Sequence, residues 1–144
     1  RIQHFTKVYY YAHLIAVGEH LPLKVRQITE IAAMVHDIGI HKAEKSFHTT
    51  AGKIQEKLGA PESVKLLRDM GFSDEIVNRV SYLVGHHHTY TGIDGIDYQI
   101  LVEADFLVNI YEDNMDLQAR ENAFGNIFKT ETGKKLFRQM YPIE

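Results

Sequence analysis

The sequence contains no cysteine, so it offers neither a disulfide framework nor a thiolate metal site, and any metal must be held by nitrogen and oxygen. No apolar run approaches the roughly 18 residues of a membrane span, and nothing at the start has the form of a signal peptide. Positive charge is not in excess. The formal net charge of -3 argues against an extended nucleic-acid surface, while leaving room for a local basic pocket around one phosphate. Glycine is scattered, which excludes a P-loop or a dinucleotide-binding loop. Strand signals are nearly absent, and no repeat, low-complexity tract or linker divides the chain. The expectation is a soluble, cytoplasmic, all-helical protein with one domain over residues 1–144. The chain opens with Arg1 rather than Met, which leaves room for residues upstream.

What is present agrees with that frame. A hydrophobic share of 44% and a charged share of 24% suit a globular domain with a real core. Periodicity predicts helices over about 2–19, 24–38, 50–59, 61–71, 74–87, 97–112, 117–129 and 133–140, punctuated by Pro22, Gly39, Gly59-Ala60-Pro61, Gly71 and the 91–95 segment. The helices after residue 112 have apolar faces suited either to covering the core or to a homodimer contact.

Polar residues sit where core residues belong. His36-Asp37 ends the apolar stretch 31–39, and the stripe Ile28, Ala32, Val35 carries His36 on its inner face. Gly39 is expected to close that helix in a left-handed cap, and the negative end of the helix dipole beside the pair would favour a cation. His4 shares a stripe with Val8, Tyr11 and Ile15, and Asp105 shares one with Leu101, Ala104 and Val108. A buried, unpaired carboxylate costs several kcal/mol or takes up a proton, so Asp105 needs a cation or a donor nearby. Glu103 points elsewhere and is expected to be solvated or to support a ligand. Asn109, one turn after Asp105, is a second supporting candidate.

In these residues the chain resembles the HD-domain metal-dependent phosphohydrolases. The pattern is carried by His4, His36-Asp37 and Asp105, with Arg-Ile-x-His at 1–4, Ala-x-x-x-His-Asp-Ile-Gly beginning at Ala33 and Glu-Ala-Asp at 103–105. The resemblance covers about 1–112 and implies a compact HD-type helical bundle. It also implies one divalent metal held by His4, His36, Asp37 and Asp105. Two imidazoles and two carboxylates suit Mn, Fe, Ni, Mg or Zn without choosing among them. Such a metal leaves positions for water and a phosphoryl oxygen, with Asp37 or a nearby carboxylate orienting the water. The implied substrate is a small phosphate ester or anhydride, most plausibly of a nucleotide.

The triple histidine His86-His87-His88 follows a helix whose stripe Ile76, Val80, Leu83, Val84 runs in phase to His87. His87 is therefore the inward one, able to donate to a phosphate oxygen, protonate a leaving group or bind a second metal. His86 and His88 are candidates for substrate contact, as are Lys42 and Lys45 in the loop that also holds His41. Tyr90, Tyr98 and Tyr111 could stack on a base or serve as packing. The dinuclear branch of the family, which cleaves cyclic dinucleotides, implies His48 and His87 as ligands of a second ion. Its Gly-Tyr-Pro element is absent here, so one metal is favoured. Two other classes stay open: a nucleotide- or metal-sensing regulatory domain without turnover, and a di-iron oxygenase of the same superfamily.

Overall fold

The computed structural model describes residues 2–39 and 52–142, and among these it shows seven helices and no strand. They are α1 Ile2–Gly18, α2 Leu23–Val35, α3 Gly52–Asp69, α4 Asp74–Val84, α5 Ile96–Glu112, α6 Leu117–Asn126 and α7 Glu131–Met140. No described helix is long and apolar enough to cross a membrane.

Helix α5 is the hub. Ile100, Leu101, Val102, Ala104, Leu107, Val108 and Ile110 are all buried, so the helix is apolar on nearly every side, as a helix surrounded by others must be. Helices α1 and α2 pack on it and on each other, α7 packs on α1 and α5, and α3 pairs with α4. Local signals set several starts. Ser73 caps α4 through Ile76 N–H, with Asp74 and Glu75 in the positive first turn. Asp116 caps α6 through Ala119 N–H, and Thr130 caps α7 through Gly133 N–H. Phe137 of α7 is fully buried against Phe124, Phe128 and Tyr141, so this helix covers the chain's own core.

Four boundaries differ from expectation. The break at Gly59-Ala60-Pro61 does not occur, and α3 runs through Pro61. Its buried face of Gln55, Glu56, Gly59, Ser63 and Leu67 keeps one direction on both sides of the proline, so packing overrides the roughly 3 kcal/mol local penalty. Helices α2 and α4 stop at Val35 and Val84, which puts His36-Asp37 and His86–His88 in the turns that follow. Helix α6 ends at Asn126, leaving Phe128 buried in the connection.

Gly39 is not a left-handed cap, since Gly71 and Gly92 are the described glycines with positive φ. Its role is close approach. A Cβ there would lie 2.6 Å from Gln55 O and 2.6 Å from Gly59 N, so the turn bearing His36-Asp37 sits directly on the α3 backbone.

Candidate metal centre

Three separate parts of the chain converge beside α5. Helix α1 brings His4, the turn after α2 brings His36 and Asp37, and α5 itself brings Asp105; all four are buried. His4 Nε2 lies 3.3 Å from His36 Nε2, 3.1 Å from Asp37 Oδ2 and 3.2 Å from Asp105 Oδ1. His36 Nε2 lies 3.5 Å from Asp37 Oδ2 and 3.3 Å from Asp105 Oδ1. Atoms that share one metal at about 2.0–2.2 Å stand roughly 3.0–3.5 Å from one another. The spacing of this cluster is therefore that of a ligand set.

The outer nitrogens explain how the rings are aimed. His4 Nδ1 is 2.7 Å from Glu112 Oε1, and His36 Nδ1 is 2.7 Å from Ala33 O. Each Nδ1–H donates outward and fixes the tautomer that leaves a lone pair on Nε2, the arrangement that orients metal-ligating histidines. His87 repeats the device, with Nδ1 2.7 Å from Val84 O and Nε2 3.7 Å from Asp37 Oδ1. His87 Nε2 and Asp105 Oδ1 are buried and make no hydrogen bond among the described residues. These orphaned acceptors, together with two nitrogens of like polarity in contact, fit a divalent cation.

Electrostatics point the same way. Burial alone would lower the His4 pKa, but the carboxylates of Asp105 and Asp37 outweigh it and raise it to about 10. His36 is also raised against its burial, chiefly by Asp37 and Asp105. Burial would push both carboxylates up, yet His36, His4 and His87 hold Asp37 and Asp105 well below the usual range. The acidic pair thus demands positive charge, which protons supply when a metal does not.

A second group adjoins the first. Asp37, His87 and His88 offer ligand atoms within 4.8 Å of one another, as do His4, His36 and Asp37, so Asp37 belongs to both. Burial and the neighbouring His87 hold His88 down at about 4, which keeps it neutral near neutral pH. His86 stands apart: its Nδ1 reaches Tyr82 O and its ring stacks on Tyr82 at 4.0 Å. Lys42, Lys45, His41 and His48 lie outside the described residues.

Other expectations change. Glu103 is fully buried rather than solvated. It accepts from Gln99 Nε2, Lys129 N, Thr130 N and Thr130 Oγ1, tying α5 to the start of α7. Tyr98 is buried as well, and its hydroxyl donates to the His86 and Thr89 carbonyls, so it is no stacking surface. Tyr111 is 73% exposed under Lys7, and Tyr90 packs edge-on against Phe106. Sequence reading missed Glu112, although its spacing of seven from Asp105 places it two turns along the same face. It also missed Gln55 and Glu56, buried polar residues that no spacing rule singles out.

Comparisons with known proteins identify the family. The family model described as HD domain matches residues 1–121. The crystal structure of a predicted HD superfamily hydrolase from an uncultured Thermotogales bacterium is 30% identical, with a TM-score of 0.70 over 97% of this chain and 72% of that one. No curated protein matches. The family match runs from α1 into α6 and so spans every element that brings a side chain to the cluster; the chain belongs to the HD domain family, within a superfamily of metal-dependent hydrolases.

Proposed function

We propose that this protein hydrolyses a phosphate ester or anhydride of a nucleotide or related small molecule, with a divalent metal held by His4, His36, Asp37 and Asp105. The observation that carries the reading is the meeting of His4 Nε2 and His36 Nε2 at 3.3 Å, with two depressed carboxylates beside them. A metal bound there supplies Lewis acidity to a phosphoryl oxygen and lowers the pKa of a water.

The chain's own residues would do the rest. Asp37 has its two oxygens turned to different partners, Oδ2 toward His4 and Oδ1 toward His87, so it can hold the metal and orient the attacking water. His87, buried with Nε2 directed at Asp37, is the proposed carrier that takes up a proton at Nε2 and passes it to the leaving oxygen. Lys42 and Lys45 are proposed to contact the phosphate, with His86 and His88 as further substrate contacts.

A second reading rests on one observation, the shared carboxylate. Asp37 joins His87 and His88 in a second group whose ligand atoms lie within 4.8 Å of one another, which supports a second ion that Asp37, His87 and His88 would hold. The test is metal content of protein purified without chelator, wild type against Asp105→Ala, with phosphate release from a panel of phosphodiesters, phosphomonoesters and nucleotides. About one ion per chain with turnover, both lost in the variant, supports the one-metal hydrolase. Two ions support the second reading. Metal in both proteins with turnover in neither overturns the assignment of Asp105.

A further inference from the structure

Two polar side chains of α3, Gln55 and Glu56, are buried and face the turn after α4. Glu56 Oε2 accepts from the His88 backbone N–H at 2.9 Å and from Thr89 Oγ1 at 2.9 Å. Gln55 Oε1 lies 3.0 Å from His88 Nε2. The ring also rests on the first turn of α3, since a Cβ on Gly52 would lie 2.8 Å from His88 Cγ. From the other side, the Tyr98 hydroxyl donates to the carbonyls of His86 and Thr89, closing the turn. His88 is therefore gripped at its backbone, at its ring face and at one nitrogen.

The nitrogen matters. With Gln55 Oε1 as the acceptor, His88 carries its proton on Nε2 and its lone pair on Nδ1. His4, His36 and His87 have the opposite arrangement, with Nδ1 turned to a carboxylate or carbonyl and Nε2 left for the cluster. A ring free to turn over would divide its population between the two nitrogens, and loss of such outer partners typically costs 10–100-fold in metal affinity.

We infer that Gln55 and Glu56 are positioning residues for His88. Glu56 fixes the backbone of the His88–Thr89 turn, and Gln55 fixes the ring and its tautomer, so that His88 offers Nδ1 to a second divalent cation beside Asp37 and His87. This rests on the two-ion reading given above, and neither residue touches the reacting atoms.

Two measurements on the full chain test it. The first is calorimetric titration of metal-free protein with Mn2+, comparing wild type, Gln55→Leu, Gln55→Glu and Glu56→Gln. The second is long-range 1H–15N correlation of the histidine rings in the metal-free protein, with His88 assigned through His88→Gln. Two Mn2+ are expected in the wild type. Gln55→Leu is expected to weaken the second by 10–100-fold and leave the first unchanged, while Gln55→Glu, which keeps an acceptor oxygen, restores it. His88 is expected as the Nε2–H tautomer in the wild type and as a mixture in Gln55→Leu. Two ions with both affinities unchanged in Gln55→Leu, or Nδ1–H in the wild type, overturns the inference and leaves the two-ion reading standing. A single Mn2+ in the wild type overturns both. Should Gln55→Leu fail to fold, the wild-type tautomer decides the matter alone.

Discussion

His4 Nε2 and His36 Nε2 stand 3.3 Å apart although each ring directs Nδ1 at an oxygen acceptor, Glu112 for one and Ala33 for the other. Two lone pairs are tolerated across that gap only with a proton or a metal ion between them and the neighbouring carboxylates. The proposed metal, held only where these side chains meet in the folded chain, would therefore couple its binding to stability.

Mn2+ at about 100 times its dissociation constant is predicted to raise stability by about 2.7 kcal/mol. Chemical denaturation with Mn2+ and with a chelator checks this. In Asp105→Asn the gain is expected to fall below about 1 kcal/mol, because the variant loses a charged ligand within 3.3 Å of both imidazoles. An equal metal-dependent gain in the variant would remove Asp105 from the ligand set.

Protons compete with the metal. In the metal-free protein His4 is raised to about 10 and His36 is raised as well, so their stabilising share is full below the ordinary value of 6.5 and is lost as pH climbs through the folded values. Asp37 and Asp105 are lowered, so their share is present above the ordinary 3.8 and is lost as pH falls toward the folded values. Metal-free stability from this cluster should therefore be greatest between about 3.8 and 6.5 and decline toward pH 10. Metal affinity should rise with pH over the upper range, with at least one proton released per ion at pH 7. Calorimetry in two buffers of different ionisation enthalpy reads the proton count, and identical apparent enthalpies would contradict it.

How much of this was legible in the sequence depends on where each residue sits. His4 lies on a one-sided stripe of α1, where a period of 3.6 identifies the inward face, and Asp105 is a carboxylate within the continuously apolar run of α5, which points inward in any phase. His87 was found although α4 ends at Val84, because the turn that follows, closed by His86 N–H to Leu83 O, stays near helical phase. Glu103 was misjudged for a physical reason: α5 is buried on nearly all sides, so facing away from Asp105 does not mean facing water. Gly39 was read by local turn chemistry, whereas its constraint comes from α3, a partner distant in sequence. Gln55 and Glu56 look like solvent-facing helix residues until the His88 turn is packed on them. One-dimensional periodicity carries inward direction, but not the identity of what waits there.

Gly39→Ala tests the contact that carries His36-Asp37. The new Cβ would sit 2.6 Å from Gln55 O and Gly59 N, both backbone atoms that cannot swing aside. A loss of about 1–3 kcal/mol is expected, with weaker metal binding as the turn shifts. Gly125→Ala is the control, since that position lies inside α6 with nothing within 4 Å of the added carbon, and it should gain up to about 1 kcal/mol. Urea midpoints for the two variants are expected to move in opposite directions; a tolerated Gly39→Ala would show that the turn can separate from α3 at little cost.

Glu103→Gln separates the two buried acids of α5, which are two positions apart but serve different ends. Glu103 Oε2 accepts at 2.6 Å from Gln99 Nε2, at 2.9 Å from Lys129 N and at 3.0 Å from Thr130 N, and Oε1 accepts at 2.7 Å from Thr130 Oγ1. An amide in its place removes the charge and turns one acceptor into a donor facing donors. The cost is expected to be about 2–3 kcal/mol, the scale of a charge-assisted bond lost in a buried setting. Metal content should be unchanged, because Glu103 bonds to the start of α7 and, among the described residues, none of its hydrogen-bond partners belongs to the histidine cluster. Loss of metal from a variant that remains folded by circular dichroism would show that the anchorage of α7 reaches Asp105 through α5, and that the two acids act as one unit.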